Sequence, residues 1–447
     1  MPSGCRLIIS VVSKTRENRK KNKKETDTPT SNMKLPKSLL VVASGVMSLT
    51  TRTSADTTPE QVHLACAGQN SVGDTSGFTF VWYTEDNTTS TPCVEYVINN
   101  ATKTATGSSL QYLEDFGFHH SVRVTDLPAD TQVTYRVGNA NDGWSPYFAA
   151  KTAPGKDTTR AVKVSIFGDM GWSDSDKRPM EIVADGLVKH WSATYSRQSL
   201  EMLKDNGDIE MVWHVGDIGY MDDAFAHDVL QFSYESAYNG YLNWLQNLTS
   251  IMPYMVSPGN HESECHSPVC LAEEKRAQAL SNFTAFNSRW RMPSEESGGH
   301  PGSNMWYSWN YGPVHFVSLD TETDWPGAGE EHVGDSGIPW LRAGSFGHDG
   351  EYLAWLENDL KVCSMAKWLK MSICSQRGHS IYYNCHLFSM CLFVWRSTYL
   401  MTVGTIMFST FGSLLPKPAR MALADHGFWQ AATGPLEKLK TQSKRCS

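Results

Sequence analysis

Three short blocks constrain this chain more than anything else in it. They are Phe167-Gly168-Asp169-Met170-Gly171, Val215-Gly216-Asp217-Ile218-Gly219-Tyr220 and Pro258-Gly259-Asn260-His261-Glu262. Each follows an apolar, β-branched or aromatic run: Val162 to Phe167, Ile209 to Val215, and Ile251 to Val256. Runs of this kind read as strands buried on both faces, the signature of a parallel sheet. In α/β sheets ligands bind beyond the carboxyl ends of the strands. The blocks therefore place Asp169, Asp217, Asn260 and His261 along one rim. The glycines let the backbone turn sharply there without a Cβ in the way.

The residue types define the chemistry. Asp, Asp, Asn and His offer hard oxygen and imidazole donors, suited to Fe, Mn or Zn. A carboxylate lying between two others can bridge two ions about 3.5–4 Å apart, the arrangement used for phosphoryl displacement. A Gly-Asp turn after a strand is also ordinary loop chemistry. The order and spacing of three such turns carry the ligand reading.

Around this centre, 447 residues suggest two or three domains. A net charge of -8 argues against a nucleic-acid surface. Fifteen tryptophans suggest a β-rich, well-packed body. Residues 58–153 read as all-β, with strands at Gln61 to Ala65, Gly77 to Thr84, Val94 to Asn99, His119 to Val124 and Thr131 to Val137. His119-His120 are candidate ligands; the alternative is a strand with one side chain on each face. Lys151 to Gly155 reads as a linker. Residues 160–362 alternate strand and helix, with helices at Ser196 to Asn206, Tyr234 to Leu248 and Tyr352 to Lys361. A hairpin of Trp306 to Tyr311 and Val314 to Leu319 turns at Gly312-Pro313. His315 reads as a packed strand histidine. Asp320 to Asp324 is an acidic turn, either solvated or bordering the site.

The ends differ from the middle. Residues 1–32 hold a basic run, Lys14 to Lys24, that buries no core. Met33 to Lys37 followed by Ser38 to Ala43 reads as the start of a signal peptide spanning 33–55, with Thr53-Ser54-Ala55 as cleavage site. Translation is then expected to start at Met33, leaving 1–32 as a non-native extension; a nuclear-localisation reading of the basic run competes. Secretion agrees with four N-glycosylation sequons, at Asn87, Asn100, Asn247 and Asn282. Cys265 and Cys270 are candidates for a loop-stapling disulfide, with a zinc knuckle including His266 as the alternative.

The three blocks resemble the first three of five metal-site motifs of the purple acid phosphatases, within the calcineurin-like metallophosphoesterases. Tyr220 is the sharpest marker, three residues after Asp217, where that family has a tyrosine on Fe(III). Pro59 to Leu64 and Gly117 to His120 resemble the fibronectin-III-like domain of the large plant and fungal forms. The resemblance implies an α+β two-domain chain: that sandwich, then a four-layer α/β/β/α metallophosphoesterase domain. It implies Fe(III) held by Asp169, Tyr220 and bridging Asp217, and a divalent ion (Zn, Mn or Fe) held by Asp217 and Asn260. Water activated on the metal pair would attack the phosphorus of small phosphomonoesters. His261 would position phosphate and protonate the leaving group, and Glu262 would orient His261, unless Glu262 is a solvent-facing loop acid. An inactive homologue that only binds, or an enzyme for diesters or nucleotides, are the competing readings. No stable membrane span is expected. The oligomeric state is open, a homodimer included.

The pattern breaks after residue 362. The family's last two blocks, Val-x-x-His and Gly-His-x-His, supply three histidine ligands, and neither stands in 363–447. His379, in Arg377-Gly378-His379-Ser380, is the nearest candidate ligand; His386 and His426 have no such context. Residues 385–415 turn Cys-, Met- and Phe-rich, but Arg396, polar residues and glycines make a poor membrane span. A shifted frame accounts for this better. Codons compatible with Val403 to Met407, read from the third base of the valine codon, can give Gly-His-x-His. The same frame across Arg377 to Ile381 can give Arg-Pro-(Leu or Phe)-Tyr. The C-terminal part is therefore expected to be divergent or mis-translated, and the domain incomplete.

Overall fold

The computed structural model describes residues 55–68, 77–171, 194–222, 232–265, 268–320 and 350–365, with the backbone of 7–10, 180–182, 188–190, 369–377, 388–396 and 399–408. His266, His379, His386, His426, the expected signal peptide and residues 321–324 of the acidic turn lie outside these residues. Strand β1 (Leu7–Ser10) belongs to the second domain's sheet and is taken up there.

The first domain is a sandwich of two antiparallel sheets. Its strands are β2 (Glu60–Cys66), β3 (Gly77–Thr84), β4 (Cys93–Ile98), β5 (Ala101–Thr106), β6 (Ser108–Leu110), β7 (Phe118–Thr125), β8 (Gln132–Asn139), β9 (Gly143–Trp144) and β10 (Phe148–Lys151). One sheet runs β2-β3-β7-β6 and the other β10-β8-β4-β5, with β9 on β8. Alternation drives the packing: in β4 every second residue is buried, so Val94, Tyr96 and Ile98 face Phe78, Phe80 and Trp82 of the opposite sheet. All five expected strands are present. Four more, β5, β6, β9 and β10, escaped the sequence reading. Five of the six residues of β5 are exposed, so the strand carries no apolar alternation to detect. The signal available was its turn, Asn99-Asn100, both left-handed (φ 50° and 61°).

His119 and His120 are packed, not paired as ligands. His120 lies between the Thr84 and Ser109 hydroxyls, 2.8 and 2.7 Å from its two ring nitrogens. His119 stacks on Tyr112. As successive residues of one strand they take opposite faces, in keeping with the strand reading, and both are buried.

The second domain has two sheets packed face to face. β11 (Val162–Phe167), β14 (Met211–Val215) and β15 (Tyr254–Ser257) form a parallel sheet whose far edge takes β1 in register with Val162 to Ser165. The sequence reading gave residues 7–10 no structural part. A hairpin, β12 (Met180–Ile182) and β13 (Val188–His190), precedes helices α1 (Thr194–Asp205) and α2 (Tyr234–Thr249). After β15 come short helices α3 (Pro268–Leu271), α4 (Glu274–Ala279) and α5 (Thr284–Arg289). The second sheet orders β16 (Tyr307–Tyr311), β17 (Val314–Leu319), β18 (Leu369–Arg377), β19 (Phe388–Arg396) and β20 (Tyr399–Phe408), with α6 (Glu351–Met365) between β17 and β18.

Between the sheets Trp213 meets Trp309 edge-on at 4.9 Å, and the Ser257 and Ser318 hydroxyls bond at 2.7 Å. Helix α6 covers the outer face of the second sheet through Asp359, whose carboxylate takes the Ser308 hydroxyl and the Nε2 side of His315. His315 is thus a packed strand histidine. The layers run helix, sheet, sheet, helix. Residues 388–408, without clear periodicity in sequence, run as two antiparallel strands. Among the described residues no helix is long and apolar enough to cross a membrane.

The two domains share a buried seam. The N–H groups of Gln61 and Val62 donate to Asn243 and Gln246 of α2, and the Thr249 hydroxyl donates back to the Val62 carbonyl. Thr152, Ala153 and Pro154 are buried, so the expected linker is part of the packing.

Candidate metal centre

The first two blocks end their strands in left-handed residues, and the third passes through an extended Gly259 into a short helical turn. Asp169, Asp217 and Tyr220 have φ of 55°, 49° and 58°. Left-handed backbone at residues other than glycine costs energy and clusters at functional sites. Here it turns the side chains back over the sheet's carboxyl edge. Parallel register fixes their spacing, with Phe167 opposite His214 and Val215 opposite Ser257.

The turns bring the expected donors together. The Tyr220 hydroxyl donates to Asp169 Oδ1 at 2.6 Å and lies 3.3 Å from Asp217 Oδ2. The Tyr220 ring packs on His261 at 4.1 Å. Asn260, in the third turn, is buried beside them, and the His261 N–H donates to Asp217 Oδ1 at 3.3 Å. Asp217 is fully buried. Burial pushes its carboxyl well above the usual range; Asp169 and Glu262 push it further, and His261 opposes them. Tyr220 is driven up in the same way, by burial and then by Asp217 and Asp169. A buried oxygen cluster of this sign is stabilised by a cation.

Two carboxylates behave differently from expectation. Glu262 does not touch the His261 ring. Its Oε2 accepts the N–H groups of Asp217 (3.0 Å) and Gly259 (2.8 Å), and its Oε1 accepts that of Ile218 (2.8 Å). Nor does it face solvent. Burial raises its carboxyl to about 7, although the Ile218 and Gly259 donors pull it down. The partner of His261 is Asp222, fully buried, with Oδ2 2.7 Å from Nδ1. The sequence reading missed Asp222. The signal was there in a second acid two residues beyond Tyr220, in the turn Met221-Asp222.

The donor set fits metal ions in part. Asp169, Asp217 and Tyr220 converge, with Asn260 buried in the adjoining turn, and offer oxygen chemistry that hard cations take. Among the described residues no cluster of three or more His, Cys, Asp or Glu side chains forms a metal cage by itself. Cys265 and Cys270 are buried and not joined as a disulfide, and His266, the third ligand of the alternative knuckle, lies outside the described residues.

Comparison with known proteins agrees with this geometry. Residues 59–152 match the purple acid phosphatase N-terminal domain. Residues 162–369 match the calcineurin-like phosphoesterase family. This chain joins a purple acid phosphatase N-terminal domain to a calcineurin-like phosphoesterase domain. Acid phosphatase A of Cryphonectria parasitica is 28% identical over 73% of this chain and 68% of its own length. The acid phosphatase of Aspergillus ficuum is 25% identical over 58% of this chain and 53% of its own. A probable inactive purple acid phosphatase 27 of Arabidopsis thaliana is 27% identical over 49% of this chain and 33% of its own. The chain thus spans between a third and two thirds of the length of these relatives. The phosphoesterase match ends within β18, close to where the family's motifs stop in the sequence.

Proposed function

We propose that this protein hydrolyses phosphate monoesters in acid at a pair of metal ions, Fe(III) and a divalent Zn, Mn or Fe. The contact of Tyr220 with Asp169 and Asp217 carries the reading. A phenol wedged between two carboxylates shares its proton with them, and a hard trivalent ion replaces that proton with stronger attraction. Asp169 and Tyr220 would hold the iron, Asp217 would serve both ions, and Asn260 would serve the divalent one. Such ions act as Lewis acids and lower the pKa of bound water. His261 is the group for proton transfer to the leaving oxygen, its imidazole oriented by the Asp222 carboxylate at Nδ1. Small phosphate esters, not nucleic acid, suit a chain of this charge. Secretion is supported by all four sequon asparagines, Asn87, Asn100, Asn247 and Asn282, being exposed.

The test is Tyr220→Phe in iron-loaded protein. A phenolate on Fe(III) gives a visible charge-transfer band, and the substitution should abolish it. A surviving band would remove Tyr220 from the iron.

A non-catalytic, binding-only role is the second reading, favoured by the missing histidine motifs. Hydrolysis of a simple aryl phosphate near pH 5 separates the two. Residues 56–447 as given should bind metal weakly and turn over little, and a version re-read in the shifted frame should be active. Full activity of the given chain would mean that its C-terminal residues supply ligands; inactivity of both would favour the binding protein.

A further inference from the structure

We infer that Glu262 is a positioning residue that builds the metal-binding turn around Asp217 before any metal arrives. The inference rests on the metal-centre reading above and adds to it a residue with a different task from its neighbours in the third block. Asn260 offers an oxygen to a metal and His261 a proton to a substrate. Glu262 turns the other way, under the rim, and ties two loops together.

Its carboxylate accepts three backbone N–H groups at 2.8 to 3.0 Å. Two come from the second turn, Asp217 and Ile218, and one from the third, Gly259. Beyond a strand end these N–H groups have left the sheet's ladder, and buried N–H groups need acceptors. A carboxyl group carries acceptor lone pairs on both oxygens, enough to take all three. The first two turns are otherwise joined by Asp169 N–H to the Gly216 carbonyl at 3.3 Å and Gly171 N–H to the Ile218 carbonyl at 3.2 Å, and the last two by Gly216 N–H to the Ser257 carbonyl at 3.1 Å and His261 N–H to Asp217 Oδ1. They also touch backbone to backbone, since a Cβ built on Gly259 would collide with the Asp217 nitrogen and Oδ1. The left-handed φ of Asp217 is thus imposed from both sides, by the clamp and by the close approach of Gly259.

All three of these contacts are to backbone, so the clamp occupies neither Asp217 oxygen and leaves that carboxylate available to share. Asp222 is the natural control. It is buried and acidic in the same rim, but it acts on His261 and not on the turn.

Two measurements on the full chain test this. Amide hydrogen exchange comes first and needs no metal. The N–H groups of Asp217, Ile218 and Gly259 should be protected in the wild type, and Glu262→Gln should expose them. Fast exchange of these three amides in the wild type would overturn the clamp. The second is Zn²⁺ titration by calorimetry. Glu262→Gln should weaken binding by about 10–100-fold, the range typical of groups that orient metal ligands, and Asp222→Asn should change it less than about threefold. Equal binding by wild type and Glu262→Gln, or an equal loss in both variants, would overturn a specific role for Glu262. If Glu262→Gln fails to fold, Gly259→Ala attacks the same contact without altering charge, and it should lower Zn²⁺ affinity likewise; unchanged affinity there would count against the inference. Protected amides in a wild type that binds no Zn²⁺ would leave the clamp standing and sink the metal-centre reading.

Discussion

Two buried clusters of acids, tyrosines and histidines sit in this molecule, and they are built to opposite plans. One lies in the seam between the domains. There Arg289 is fully buried and meets Glu235 at 2.6 Å. Its Nε donates to the Tyr112 hydroxyl and its Nη1 to Asn239, and the guanidinium carbon lies 4.5 Å over the Tyr238 ring. Tyr112 in turn donates to both Glu235 oxygens. The other cluster is the rim, where Asp217, Asp222 and Glu262 are buried beside Asp169, and His261 is the basic group acting on Asp217. The seam carries its own cation, so folding satisfies it and it locks the domains. The rim gathers negative charge that the strands force together. A chain can afford such a cluster where a cation arrives from outside. The same residue types therefore act as mortar in one place and as a binding site in the other.

The comparison breaks most sharply at Arg289. Arg289→Met leaves Glu235 buried without its partner and should cost about 3–5 kcal/mol of stability, as for other broken buried pairs. Urea unfolding measures it. Adding Glu235→Gln should restore most of the loss; a double variant as unstable as the single one would mean that packing, not charge, holds the seam.

Asp217→Asn makes the matching change at the rim and should act in the opposite way. Without metal, stability should stay within about 1 kcal/mol of wild type, because the amide keeps the acceptor for His261 N–H. In the version re-read in the shifted frame, metal content should fall from two ions to none, since a shared anion no longer separates two cations. Elemental analysis that finds one tightly bound ion would give Asp217 a terminal role.

Proton uptake distinguishes the clusters next. His63, in the seam, has ring nitrogens 2.7 and 3.0 Å from the carbonyls of Gln61 and Arg289. Burial brings it down to about 4, against the pull of those carbonyls. Because the unfolded chain then binds the proton more readily, this contribution is complete above about pH 6.5 and fades as pH falls towards 4. Between pH 7 and 5 it amounts to about 2 kcal/mol. Stability curves of wild type and His63→Gln should differ in slope over that window; parallel curves would show that His63 is already charged in the fold.

The smallest effect expected is at the edge of the seam. Thr249→Val deletes the hydroxyl that donates to the Val62 carbonyl at 3.0 Å and should cost about 1 kcal/mol. A loss as large as that of Arg289→Met would place the seam's strength in its α2 contacts and not in the ion pair.

The sequence by itself determined the strands that end in the three blocks, the sandwich that precedes them and the meeting of Asp169, Asp217 and Tyr220 at the rim. Local rules suffice for these: buried runs mark parallel strands, and ligands gather at their carboxyl ends. It did not disclose β5, whose residues face solvent, nor the seam, because Tyr112, Glu235 and Arg289 come from three distant segments. Only the tertiary structure decided which acid serves His261. Glu262 adjoins it in sequence, yet the short helical turn at Asn260 to Glu262 rotates successive side chains apart and sends the Glu262 carboxylate beneath the backbone. Asp222, thirty-nine residues earlier, reaches the imidazole instead. Neighbours in sequence share a backbone, but which groups touch is set by the directions in which the folded backbone aims their side chains.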